Sequence, residues 1–152
     1  MQKKIEIRNK RAAFEYNLLD SFVAGIMLKG TEIKSIRDGA GSISEAYCFI
    51  KNGELFVKNM NIPEYSHGNL MNHDILRLRK LLLNKRELKK IEIKTREKGV
   101  AIVPLRLFMS ERGFAKLEIS LGRGKKSFDK RDTIKQKDSK REMDRVMKQY
   151  RV

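Results

Sequence analysis

The sequence contains no tryptophan, only two prolines and two histidines, and a single cysteine. One cysteine excludes an internal disulfide and fits a reducing compartment. Cys48 lies in the apolar run Ala46-Tyr47-Cys48-Phe49-Ile50, so a buried structural thiol is expected there rather than a nucleophile. His67 and His73, distant from Cys48, lack any zinc-ligand spacing, and neither a metal site nor a cofactor is expected. No stretch approaches the roughly 18 apolar residues of a membrane span. The opening Met1-Gln2-Lys3-Lys4-Ile5-Glu6 is charged but has no apolar h-region, so no signal peptide is expected either. These absences point to a cytoplasmic protein.

Catalytic signals are equally sparse. No Ser, His and Asp set stands out. Gly122-Arg123-Gly124-Lys125-Lys126 lacks the GxxxxGKS/T spacing of a phosphate loop and reads as a flexible hinge. A metal-dependent nuclease would have to draw on Asp20, Glu32, Asp38 or Glu45, and carboxylates scattered in this way are usually solvated or capping. The chain reads as a non-enzyme with no catalytic residues.

What the chain does have is positive charge. Its 35 Lys+Arg outnumber 19 Asp+Glu, a formal net charge of +16 over 152 residues. Such an excess repels itself in a compact state unless a polyanion shares it. Nucleic acid and an anionic membrane surface are the two obvious partners; a purely solubilising role is the plainer alternative. With 40% hydrophobic residues, the chain can build one modest core plus an appendage.

The apolar pattern predicts a β-rich domain. Phe14-Glu15-Tyr16-Asn17-Leu18 alternates as a half-buried strand. Asp20 and Ser21 then offer an N-cap, and Phe22, Ile26, Ile33 and Ile36 recur at helical spacing up to Gly39, although Gly25 and Gly30 weaken that helix. Ala46 to Ile50 and Leu55 to Val57 flank Lys51-Asn52-Gly53-Glu54, the signature of a type I′ hairpin. Asn59 to Ser66 is expected to extend the second strand. Residues 67–75 are polar and irregular, and a basic helix is expected from Lys85 to Lys98. A second hairpin runs from Val100–Phe108 to Phe114–Leu121 around Ser110-Glu111-Arg112-Gly113, with Pro104 at an edge or bulge. The expected fold is mainly β: a small closed antiparallel OB-like barrel over residues 1–121, flanked by two or three helices.

After Leu121 the composition changes. Residues 122–152 carry twelve Lys or Arg against five acids, a net of +7. Such a tail is expected to be mobile when free. Met143, Val146, Met147 and Tyr150 nevertheless fall at i, i+3, i+4 and i+7, and Ser139-Lys140-Arg141-Glu142 has the form of a capping box. It reads as a helix that forms on a surface.

Cations recur on separate predicted elements. Asn9-Lys10-Arg11 precedes the first strand, Lys34 and Arg37 share a helix face, and Arg77, Arg79 and Lys80 lead to Lys85. This distribution reads as a phosphate footprint. Leu81, Leu82 and Leu83 cannot all share one side of a helix, so one is expected to project outward against an unstacked base.

Several ordered motifs resemble the SmpB family of SsrA-binding proteins. They are Asn9 to Tyr16, Ala24 to Arg37, Arg79 to Leu88, Val103-Pro104-Leu105 and Ala115 to Ile119; the tail adds Gly124-Lys125-Lys126, Asp129-Lys130-Arg131 and Ile134-Lys135. The resemblance covers nearly the whole chain. It implies an OB-like barrel that binds the tRNA-like domain of tmRNA, supports its elbow and stands in for the missing anticodon arm. It also implies a tail, with Phe128 in it, that enters the vacant messenger channel of the small ribosomal subunit near the decoding centre. Asn9 and Leu82 match positions implicated in tmRNA contact, Tyr16 lies in the matching opening motif, and Val146-Met147 match an apolar pair tied to accommodation and tagging.

The chain departs from the family pattern at four places. Val23 stands where relatives often carry an acid, Ile75 and Leu78 where prolines are frequent, and Phe128 where some members have histidine. The implied protein is a monomeric adaptor with tmRNA and the ribosome as partners and no membrane. Another OB-type translation factor or ribosomal protein, and the nuclease, are the alternatives.

Overall fold

A computed structural model of the protein describes residues 5–66, 72–125, 131, 134, 135, 137–143 and 145. Strand β1 (Glu6–Arg8) leads through the single turn α1 (Ala12–Glu15) into the long β2 (Tyr16–Ile26), then helix α2 (Gly30–Arg37). The hairpin β3 (Tyr47–Lys51) and β4 (Glu54–Lys58) follows. After it come β5 (Arg79–Leu82), helix α3 (Lys85–Thr95), and the hairpin β6 (Val100–Met109) and β7 (Ala115–Gly124).

All strand pairings are antiparallel, in the order β1-β6-β3-β4-β5-β2-β7, and a further β6–β7 pairing closes six strands into a ring. This is the closed antiparallel fold that the alternating apolar runs predict. Inward residues of the six ring strands converge on one core: Ala24, Cys48, Leu55, Val57, Leu81, Ile102, Leu107, Leu117, Ile119 and Leu121. Ile36 of α2 and Ile91 of α3 pack into it.

The seams of the ring differ in strength. β6 and β7 pair along nearly their whole length, whereas β3 meets β6 through Cys48 and Ile102 alone among the described residues. β6 gives the rest of that edge to β1, which pairs Glu6 to Arg8 with Phe108 to Arg106. The register shift between Pro104 and Arg106 is the bulge that a proline without an N–H requires.

The sharpest local prediction holds: Asn52 (φ 53°) and Gly53 (φ 74°) supply both positive angles of the β3–β4 turn. Other boundaries move. Phe22 to Ile26 is strand, because β2 pairs with β7 as far as Gly25 and alternates Phe22, Ala24 and Ile26 toward the core. Sheet pairing overrides the helical spacing, and the helix starts only at Gly30. Asp20 and Ser21 cap nothing; Asp20 instead receives the Lys94 ammonium at 2.5 Å. Phe14 and Glu15 fall in α1, so the first strand of the ring starts at Tyr16.

β4 ends at Lys58, since Asn59 turns the chain at φ 61°, and Asn61 then bridges to Ser42. Leu81 and Leu82 lie on a strand rather than a helix, and α3 stops at Thr95 rather than Lys98. Gly122 to Gly124 belong to β7 and pair with Tyr16 to Leu18, so this segment is sheet and not a hinge. In the tail, residues 137–143 are helical, which puts Ser139 inside the helix rather than at its cap.

Candidate nucleic-acid interface

Strand alternation decides which candidate side chains can reach a ligand. On β5, Arg79 and Leu81 point inward while Lys80 and Leu82 point outward. Leu82 is 49% exposed and lies over Gly25 of β2, where an added Cβ would sit 3.5 Å from the Leu82 Cβ. Glycine there keeps the strand surface open beneath an outward leucine. Exposed Met27 and Phe114 line the same groove with Ile33 and Lys116, and Phe114 is 64% exposed. Arg37 of α2 reaches the Gly113 end of this groove. The outward leucine anticipated among Leu81 to Leu83 is therefore Leu82, selected by two-residue alternation rather than by a helix face.

Arg79 leaves the footprint. Its side chain is completely buried, and its Nε donates to the Glu32 carboxylate, Nη1 to the Met60 carbonyl at 2.7 Å, and Nη2 to the Ile75 carbonyl at 3.2 Å. A guanidinium with its donors engaged inside the core cannot grip a phosphate. Arg77 is half committed, donating Nη2 to Glu32 at 2.5 Å and to the Met27 carbonyl at 3.2 Å. Burial alone would raise the Glu32 carboxyl, but Arg77, the Lys29 amide at 2.8 Å and Arg79 together hold it below its ordinary value.

This network also accounts for the chain at Ile75 and Leu78. The Ile75 carbonyl accepts from both Arg79 and the Ile62 amide, which fixes the approach to β5 without proline.

Asn9 is likewise a brace. Its Nδ2 donates to the Pro104 carbonyl at 2.9 Å, its backbone N–H donates to Leu105, and its Oδ1 accepts from the Arg11 amide at 3.2 Å. It satisfies carbonyls that the Pro104 bulge leaves unpaired and orients Lys10 and Arg11. Tyr16 packs against Gly122, where a Cβ would meet the Tyr16 Cβ at 3.1 Å.

Lys10, Lys34, Arg37 and Lys85 are exposed. Lys34 lies 5.6 Å above the Tyr65 ring, and Arg37 has no hydrogen-bonding or ionic partner among the described residues. Arg11 pairs with Glu45 at 2.6 Å and half-buried Lys80 with Glu54 at 3.0 Å, both at the surface, where such pairs open at little cost. Lys125 donates its amide to the Glu15 carbonyl at 2.8 Å, tying the start of the tail to α1.

Arg131, Ile134 and Lys135 are helical and exposed. Lys126, Phe128, Asp129, Lys130, Val146 and Met147 lie outside the described residues, as does His67.

The candidates for other chemistry are dispersed. Glu32 is locked in the core, Asp20 and Glu45 are in ion pairs, and no group of three or more metal-ligating side chains occurs among the described residues. Burial pushes the Cys48 thiol far above its ordinary value, as expected of a structural cysteine. No helix among the described residues is long and apolar enough to cross a membrane.

Sequence reasoning missed Met27, Tyr47, Phe114 and Lys116. Lys116 was legible from the alternation of its strand, whereas the exposure of Phe114 depends on how the β6–β7 turn sits.

A small closed antiparallel ring, strongly basic, with outward apolar side chains between unpaired cations, defines an RNA-binding protein of the OB-like kind. The sequence matches the family model described as SmpB protein over residues 6–149, and the chain belongs to that family. It is 57% identical over 144 residues to the SsrA-binding protein of Cytophaga hutchinsonii, covering 95% of this chain and 94% of that protein. It is 52% identical over 151 residues to that of Christiangramia forsetii, covering 99% and 96%. Among solved structures, one described as "tmRNA-SmpB: a journey to the center of the bacterial ribosome" superposes with a TM-score of 0.68 at 42% identity, covering 80% of this chain and 85% of that one.

Proposed function

We propose that this chain is an adaptor of trans-translation: it binds the tRNA-like domain of tmRNA, delivers it to ribosomes stalled without a stop codon and so permits tagging of the unfinished peptide. The observation that carries this reading is the family match across residues 6–149, which takes in ring and tail together. The names of its relatives, SsrA-binding protein, and the tmRNA and ribosome of the solved neighbour supply the partners.

The ring grips RNA through Lys10, Arg11, Lys34, Arg37, Lys80 and Lys85, with Tyr16 and Leu82 as apolar contacts. Asn9, Arg77 and Arg79 act by positioning. Gly124 and Lys125, held to the ring beside Tyr16 and Glu15, lead into the tail, whose Lys126, Phe128, Asp129, Lys130, Arg131, Ile134, Lys135, Val146 and Met147 probe the empty messenger channel of the small subunit. The protein works as a monomer in the cytoplasm without a cofactor, and bond-making belongs to the ribosome.

Purified protein is expected to bind tmRNA in strong preference to unrelated duplex RNA at physiological salt. Equal affinity for the two would refute the adaptor, and RNA cleavage abolished by a chelator would replace it with a nuclease.

A further inference from the structure

The weak seam between β3 and β6 opens outward into a cleft of about 390 Å3, within the size range of small-ligand sites. Ala101 and Val103 of β6 give it an apolar base, Tyr16 and Tyr47 line it, and three charged residues, Arg11, Glu15 and Glu45, stand around it. Tyr47 is 44% exposed, on the outward side of β3, next to the buried Cys48. It is held in place: its ring leans on Phe49 at 6.3 Å, and Phe49 stacks on Phe56 at 5.8 Å. An exposed ring backed by two others is a rigid stacking platform, which loses little freedom on binding.

The charges specify what stacks there. In a chain of net charge +16, two carboxylates against one guanidinium make this cleft hostile to a phosphate. They suit a group rich in N–H donors. The Glu45 carboxylate is reachable, because its pair with Arg11 at 2.6 Å is exposed on both sides. The Glu15 carboxylate has no partner among the described residues. Among the bases, guanine alone presents two adjacent donors, N1–H and N2–H, that a single carboxylate accepts together.

We propose that this cleft takes one unstacked guanine of the bound RNA, stacked on Tyr47 and held at its N1–H and N2–H by Glu45, which releases Arg11 to a phosphate beside it. The proposal rests on the RNA-binding function above and names the base that one part of that surface reads.

The decisive variant is Glu45→Gln in the full chain, with the tRNA-like portion of tmRNA, transcribed in vitro, as probe. If Glu45 only neutralises Arg11, removing its charge tightens RNA binding. If it holds guanine, affinity falls by about tenfold. Replacing loop guanosines one at a time by inosine, which lacks N2–H, should find one position that weakens the wild-type protein and adds nothing to the loss in Glu45→Gln. Tyr47→Ala should also lose about tenfold, with Tyr47→Phe restored to the wild-type level.

Unchanged or tighter binding by Glu45→Gln, or no sensitive guanosine, overturns the guanine site while leaving the adaptor standing. A wild-type chain without preference for this RNA over duplex RNA overturns the function and the site together.

Discussion

The Arg79 guanidinium and the Glu32 carboxylate face each other with no solvent exposure on either side chain, joining β5 to α2 through the core. Two groups that would read on paper as a phosphate contact and a nuclease carboxylate neutralise one another. Removing Arg79 leaves the buried Glu32 charge with only Arg77 and the Lys29 amide to hold it. Arg79→Met is therefore expected to cost about 3–5 kcal/mol of unfolding free energy, measured by urea denaturation. A loss below about 1 kcal/mol would show that the pair is dispensable.

The same carboxylate makes acid stability readable. The folded value of Glu32 lies below its ordinary 4.5. As pH falls, the unfolded chain takes up this proton first. The stabilisation is thus complete above the ordinary value and drains away as pH drops toward the folded one. Stability curves between pH 7 and pH 3 should steepen in wild type relative to Glu32→Gln, and parallel curves would contradict the assignment.

Gly122 is fixed by what it lets near. With Tyr16 Cβ 3.1 Å from where its own Cβ would be, Gly122→Ala forces β2 and β7 apart or displaces the Tyr16 ring. A loss of about 1–3 kcal/mol is expected, along with weaker RNA binding. A Tm equal to wild type would mean that the strands absorb the methyl group freely.

Cations without partners and cations in pairs should differ in their salt signature. Arg37→Ala and Lys85→Ala are each expected to lower the slope of log affinity against log salt by about 0.7–0.9, one phosphate's worth. Lys80→Ala should lower it by less, because Glu54 already shares that charge. Identical slopes for all three would place Lys80 in full phosphate contact.

The junction of ring and tail locates the cut that separates their roles. Gly124 pairs with Tyr16, and the Lys125 amide donates to Glu15, so both belong to the ring. Deletion of residues 126–152 is expected to leave tmRNA affinity within about threefold and to abolish tagging on stalled ribosomes. Loss of RNA binding on truncation would reverse this division of labour.

Much of this was legible in the sequence, for definable reasons. Asn52-Gly53 and the two flanking apolar runs carry their turn geometry locally, and the β7 arm alternates from Ala115 to Ile119. The segment Phe22 to Ile26 misled, because its spacing continues that of the helix holding Ile33 and Ile36 while its partner strand, β7, lies almost a hundred residues later. The footprint was legible as charge but not as access. Arg37 and Arg79 look alike in sequence; strand alternation turns Arg79 inward, where Glu32 of α2 receives it, while Arg37 stays at the surface. Tyr47 was hidden for a related reason: nothing local says which flank of its strand lacks a neighbour.

The Cys48–Ile102 pair also has a mechanical consequence. A loop of strands fastened along its other junctions by two or more residue pairs behaves as a bracelet with one light clasp. Breathing motions should start there, so amide protons around Cys48 will exchange ahead of those in the long β6–β7 pairing. A nucleotide wedged beside the clasp would hold it shut, and loading with RNA would stiffen the protein at a point the strands themselves leave slack.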